Sequence, residues 1–239
     1  MSRHRVVVLG GGFAGLSAVR ALRAVEADVT LIDRRNFHLF QPLLYQVGTG
    51  SLSPGEISSP LRSIFSRQRN VRVLLASVES IDPVARRVVL GEGKVVEYDT
   101  LVVGLGSITS YFGHDDWKKH ALSLKSIEEA TEMRRRVFTA FEKAELEGVT
   151  GPSPWLTFVI IGAGATGVEL GGALSEIARK TLKDDFRSIH PDHAQIILLD
   201  QSPRVLPTFS PRLSEKAEKA LLKLGVRFRS GVSVTAVDE

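Results

Sequence analysis

"FVIIGAGATGVELGGAL" (residues 158–174) sets G-x-G-x-x-G directly behind an apolar run, and "RVVVLGGGFAGLSAVRAL" (residues 5–22) does the same near the start of the chain. Each β-branched run suits a parallel strand buried on both faces, and the Ala/Leu-rich stretch behind it has helical spacing. The glycines divide the work of a dinucleotide turn. Gly10 and Gly162 permit the tight turn, Gly12 and Gly164 the close approach of a pyrophosphate, and Gly15 and Gly167 the packing of helix on strand. The helices opening near Phe13, Ala14 and Thr166 would aim free N–H groups and positive dipole ends at phosphates. A lone fingerprint is weak evidence. Here each is followed by a strand ending in an acid, Asp33 in the first half and Asp200 in the second, where a carboxylate can accept from ribose hydroxyls.

The acids carry further detail. Arg34 and Arg35 follow Asp33, one placed to stack on an adenine, with solvated surface the reading for at least one of them. The glycine-to-acid distance is longer in the second half because residues 179–195 add a polar extension. Asp200 argues for a free 2′-hydroxyl, hence NAD over NADP. Arg204 leaves NADP open, with a surface arginine as its favoured reading. Glu169 has two readings, either stabilisation of the first turn of its helix by the dipole or a place beside an entering nicotinamide.

Working outward, residues 28–33 complete a strand–turn–helix–strand unit. Residues 36–57 read as irregular, and "SSPLRSIFSRQ" as a short helix with Ser59 as cap and Pro60 in its first turn. From residue 71 the period becomes two, predicting a meander or hairpins with a turn at Gly91-Glu92-Gly93. Residues 126–147 predict a long helix opening on a Ser-x-x-Glu capping box. "GVTGPSP" then reads as a linker. Beyond it the first pattern restarts, with a last predicted strand at "VSVTAV". The two halves share an architecture rather than a short repeat. The fold class is therefore α/β, with two Rossmann-like, three-layer domains, each carrying a β-meander.

Composition narrows the function. The 239 residues are 43% hydrophobic and 24% charged, as in ordinary globular proteins. A net charge of +4 favours anionic surfaces or phosphorylated ligands. It is too diffuse for nucleic acid, since Arg134-Arg135-Arg136 is the longest basic block and reads as a solvated helix face. With no cysteine, a redox dithiol, a thiolate zinc site and an iron–sulfur cluster are all excluded. No apolar run is long enough to span a membrane, no signal peptide is read at the start, and a cytoplasmic chain is expected.

Two fingerprints separated by a meander and a linker resemble the flavoproteins with two dinucleotide-binding domains. Within them, "LIDRRNFHLFQPLLYQVGTGSLSPGEI" and "GAGATGVELGGAL" look like the type II NADH:quinone oxidoreductases. That resemblance implies FAD on the first turn, NADH on the second and a quinone as electron acceptor. It implies an FAD-binding domain over residues 1–125, a connecting helix and linker over 126–152, and an NADH-binding domain over 153–239. It places Gln41, Pro42 and Leu43 near the flavin, adds Val78 to the cofactor positions, and has Glu169 position the nicotinamide. "YDTLVVGLGSITSYFG" corresponds to a family strand ending in Ala-Thr-Gly. Here the tripeptide is Gly104-Leu105-Gly106, so Gly106 keeps the small residue while the threonine hydroxyl is lost.

Without cysteine, electrons leaving the flavin must pass directly to a bound acceptor. A quinone suits that requirement, and so does a ferredoxin- or rubredoxin-like partner, against which the FQPLLYQ segment argues. The family continues well beyond residue 239. The chain is thus expected to lack the return segment of the FAD domain and the C-terminal segment that docks on the inner face of the plasma membrane. An exposed sheet edge would then favour a homodimer, and an inactive nucleotide-binding fragment is the remaining alternative.

Overall fold

The computed structural model describes residues 3–238. In chain order the regular elements begin with β1 (His4–Leu9), α1 (Phe13–Ala21), β2 (Ala27–Asp33), β3 (Phe37–Leu39), α2 (Leu44–Gly48), β4 (Ser58–Pro60) and α3 (Leu61–Ile64). They continue with β5 (Val71–Leu75), β6 (Val78–Asp82), β7 (Arg87–Leu90), β8 (Val95–Glu97), β9 (Thr100–Val103) and α4 (Ile127–Glu147). The last are β10 (Thr157–Ile161), α5 (Ala165–Glu176), β11 (Gln195–Leu199), α6 (Pro211–Lys223) and β12 (Val226–Arg229). The chain forms two compact units, one of Met1–Phe40 with Gly55–Ile108, the other of Gln41–Pro54 with Thr109–Glu239.

In the first unit a parallel sheet runs β5-β2-β1-β9. Side chains alternate across it, as the two-residue period of a strand requires. Val6, Val8, Val29, Leu31 and Val73 point to one face, where they pack with Leu16 and Val19 of α1 and with Leu61 and Phe65. Val7, Leu9 and Ile32 point to the other, beneath Val88, Leu90 and Tyr98. The antiparallel meander β6-β7-β8 supplies that second cover. The sheet is therefore covered on both faces, which is why its strands read as continuous apolar runs.

Several expectations are corrected here. Residues 71–75 belong to the parallel sheet, paired with β2 from Val29↔Val71 to Asp33↔Leu75; the meander starts only at Val78. The stretch 36–57 is less irregular than its composition suggests, since β3 pairs with β4 through His38↔Ser59. Ser59 is thus a strand residue, and Pro60 is the cap of α3.

In the second unit, β10-β11-β12 form a parallel sheet. Ile160, Ile196, Leu198 and Val226 share one face and join the core of α4 and α5 through Phe141, Ala144, Leu170 and Leu174. The predicted connecting helix α4 is therefore a core element of this unit. It opens on the expected capping box: Ser126 Oγ accepts from Glu129 N at 3.2 Å, and Glu129 Oε2 accepts from Ser126 N at 3.0 Å. It ends at Gly148 in the left-handed region, φ 60°. Helix α5 runs on into one π-type turn, Ile177–Thr181. The predicted strand at residues 232–237 carries no strand, and no second meander occurs among the described residues. Accordingly Val159 and Ile161 are 54% and 51% exposed, while Ile160 between them is 7% exposed.

The capping box gives the first testable outcome. Ser126→Ala removes an acceptor from the first turn of α4, and urea unfolding should report about 1 kcal/mol less stability. An unchanged midpoint would mean that the core contacts of α4 alone hold it.

Candidate dinucleotide-binding turns

Each glycine turn is built by the same contacts. In the first, Gly10 has φ +95°, which favours glycine, and its N–H donates to Ile32 O at 2.8 Å. In the second, Gly162 has φ +104° and donates to Leu199 O at 2.8 Å. A Cβ on Gly15 would lie 1.8 Å from Gly10 O, and one on Gly167 would lie 1.9 Å from Gly162 O. Helix backbone thus rests on turn backbone in both units, leaving no space for a methyl group. Gly12 and Gly164 are different. They cap α1 and α5 at φ −73° and −72°, and a Cβ on either would meet nothing within 4 Å. Among the described residues their N–H groups have no partner. An open space at a helix N-terminus, with an unpaired N–H beside it, is the arrangement that holds an anion. The two turns therefore fit the pyrophosphates of dinucleotides.

Both strand-end acids reach back to their turns. Asp33 Oδ2 accepts from Gly11 N at 2.7 Å, and Oδ1 from Arg35 N at 2.7 Å and Asn36 N at 3.2 Å. Asp200 Oδ2 accepts from Ala163 N at 2.6 Å and Oδ1 from Ser202 N at 2.7 Å. Burial works to raise the Asp200 carboxyl, but the N–H groups of Ala163 and Ser202 outweigh it and hold it below the usual carboxylate range. Arg204 donates to Pro207 O at 2.8 Å, closing its own loop.

The remaining predicted residues fall as follows. Phe13, Ala14 and Thr166 stand in the opening turns of α1 and α5. Arg34 is exposed, and Val78 opens β6 against the core of the first unit. Gln41, Pro42 and Leu43 make a 3-10 turn leading into α2, with Gln41 Nε2 donating to Lys125 O at 3.3 Å. Gly106, at φ +76°, faces open space.

Glu169 is not in the first turn of α5, which starts at Ala165 and has no acid there. The dipole reading therefore fails, because that effect fades beyond the first turn. Glu169 instead lines a cavity of about 500 Å³ with Tyr45, Val168, Ala173 and Leu221, and loss of water there raises its carboxyl above the ordinary value.

Two residues of the first turn went unread as parts of it. Gly104 touches the turn itself: its N–H donates to Leu9 O at 2.8 Å, and a Cβ on Gly10 would lie 2.2 Å from Gly104 O. The signal is a glycine just past β9, two residues before Gly106. His38 is buried, with Nδ1 3.0 Å from Gly11 O.

Residues 4–239 match the pyridine nucleotide-disulphide oxidoreductase family. The chain is 46% identical over 240 residues to the type II NADH:quinone oxidoreductases NdhA and Ndh of Mycobacterium tuberculosis, covering 99% of this chain and 51% and 52% of theirs. The chain thus spans about half the length of the curated relatives it matches. It is also 31% identical to an external alternative NAD(P)H-ubiquinone oxidoreductase of Solanum tuberosum, covering 99% of this chain and 43% of that protein. Among solved structures, NDH2 from Plasmodium falciparum in complex with NADH superposes with a TM-score of 0.84 at 23% identity, over 96% of this chain and 48% of that one. The sulfide:quinone oxidoreductase of Aquifex aeolicus gives 0.81 at 22%, over 98% and 52%. At those identities the superpositions establish the fold.

Two outcomes test the turns. Gly10→Ala forces a side chain onto Gly104 O in a left-handed backbone and should cost about 1–3 kcal/mol in denaturant unfolding. Gly12→Ala, with open space and an ordinary φ, should stay within about 0.5 kcal/mol of wild type; equal losses would contradict the packing described. Asp200 has a folded value below its unfolded one. Its stabilising contribution is therefore complete above the ordinary aspartate range and is lost as pH falls through the folded value. Acid unfolding followed by tryptophan fluorescence should be less steep in that range for Asp200→Asn than for wild type.

Proposed function

Because the chain belongs to the pyridine nucleotide-disulphide oxidoreductase family, we propose that it is the two-nucleotide part of a type II NADH:quinone oxidoreductase. FAD sits on the first glycine turn and NADH on the second. The observation that carries this reading is the pair of open turns, each with a glycine N–H at a helix N-terminus that has no partner among the described residues and a carboxylate pinning the turn from the next strand. The 46% identity to type II NADH:quinone oxidoreductases supports the assignment of acceptor.

Gly10, Gly12, Phe13, Ala14, Gly15, Asp33 and Arg34 hold FAD, with Gln41, Pro42, Leu43, Val78 and Gly106 contributing on the flavin side. Gly162, Gly164, Thr166, Gly167 and Asp200 hold NADH, and Glu169 biases the charge at its nicotinamide end. FAD, when bound, supplies a two-electron acceptor for the hydride of NADH and a donor for the quinone. The chain's own work is to fix position, since a turn that needs no rearrangement presents its N–H groups ready-aligned. Asp200, kept ionised by Ala163 and Ser202, repels a 2′-phosphate and so favours NADH over NADPH. With no cysteine in the sequence, the electrons leave without a protein dithiol. In this reading FAD is held from residues 1–125 and NADH from residues 153–239, with residues 126–152 between them, whose helix α4 packs in the core of the second unit. Attachment to the inner face of the plasma membrane and homodimerisation belong to the same proposal.

The purified chain, loaded with FAD, should show a flavin visible spectrum that bleaches on anaerobic addition of NADH. Gly164→Val fills open space without touching the fold, and it should abolish bleaching while the flavin band remains. Gly12→Val should remove the flavin band instead. If Gly164→Val also released the flavin, the division of labour between the turns would be wrong.

A further inference from the structure

We infer that His38 is a positioning residue for the flavin nucleotide, acting through the peptide that joins Gly11 to Gly12. The inference rests on the reading that the first turn holds FAD.

The carbonyl of Gly11 and the N–H of Gly12 belong to one planar trans peptide and point in opposite directions. Whatever holds Gly11 O therefore aims Gly12 N–H the other way. Gly11 O has His38 Nδ1 at 3.0 Å. A carbonyl only accepts, so Nδ1 carries the proton and donates. Asp33 takes the N–H at the other end of Gly11 at 2.7 Å, which leaves the residue held from both sides. The N–H of Gly12, aimed by this arrangement, is the one with no partner among the described residues.

The second turn supplies an internal comparison. There Ala163 N is held by Asp200, and Ala163 O accepts from the backbone N–H of Leu206 at 2.8 Å. Gly164 N–H again has no partner among the described residues. Both turns thus fix the same carbonyl, one with a backbone donor and one with an imidazole. The imidazole is itself constrained. His38 lies mid-strand in β3, opposite Ser59. The ring of Phe13, the first residue of α1, meets it edge to face at 5.0 Å and 88°. Phe40 lies 5.5 Å from the Phe13 ring. The donor is therefore placed by the β3–β4 pair and an aromatic pair, and it sets the aim of one N–H at the phosphate position.

The test measures FAD affinity of the full chain by quenching of flavin fluorescence, with NADH affinity and far-UV circular dichroism as folding controls. His38→Leu keeps bulk and loses the donor. His38→Asn keeps an N–H near the Nδ1 position. We expect His38→Leu to weaken FAD binding about tenfold, the scale of one lost hydrogen bond. His38→Asn should stay within about threefold of wild type, with NADH affinity unchanged in both. FAD binding unaltered in His38→Leu, or equally weakened in both variants, would overturn the inference. No FAD binding by wild type would overturn the assignment of the first turn and this inference with it. Should His38→Leu fail to fold, the ¹⁵N shifts of the wild-type ring decide: a proton on Nδ1 supports the donor role, and a proton on Nε2 alone refutes it.

Discussion

In both units a helix backbone rests directly on the carbonyl oxygen of a glycine. The contact at Gly15 and Gly167 is too close for any side chain, and much follows from it. It brings the start of each helix up to the end of its strand, and the helix N-terminus then stands over open space instead of over packed side chains. It also brings the turn within reach of the acid on the next strand. Asp33 and Asp200 can meet Gly11 and Ala163 only because the turn is held this tightly. Close packing and phosphate binding are here two results of one constraint.

The same constraint explains what was legible in the amino-acid sequence. The glycine spacing is readable because backbone contact excludes a side chain at Gly10, Gly15 and Gly167 and a positive φ favours glycine at Gly10 and Gly162, and the acid is readable because it ends the next strand, where both its oxygens are committed. The parallel strands β1, β2 and β10 were equally readable, since apolar residues occupy consecutive positions. Where burial is less distinctive, the reading slipped. Residues 71–75 alternate just as the meander strands do, and periodicity cannot tell a parallel edge strand from a hairpin strand. The β3–β4 pairing joins two three-residue strands across the whole α2 segment, too short and too far apart to leave a periodic trace. Ser59 followed by proline looks like a helix start whether or not a strand runs through it.

Side chains that act on the turn from a distance were the least visible. Gly104 supports Gly10 from the end of β9, and His38 reaches Gly11 from the β3–β4 pair. Neither lies within the fingerprint, and their roles depend on tertiary contact alone. Glu169 illustrates a different limit. The start of its helix is where the sequence puts it, at Ala165, but Glu169 is the fifth helical residue and lies past the first turn, so its physics is that of a desolvated acid and not of a dipole-stabilised one.

The two turns also differ in how they would travel. Leu206 holds its carbonyl with a backbone N–H while sitting at φ +50°, a left-handed geometry unfavourable for leucine. That solution is a shape of the main chain: it needs an N–H, which excludes proline, and at this φ it would suit glycine better than leucine. The first turn relies on an imidazole carried by the separate β3–β4 pair. Transplanted into another scaffold, the second turn would need β10, α5, β11 and the loop to Leu206, all consecutive in the chain, whereas the first would have to bring β3 and β4 along as well.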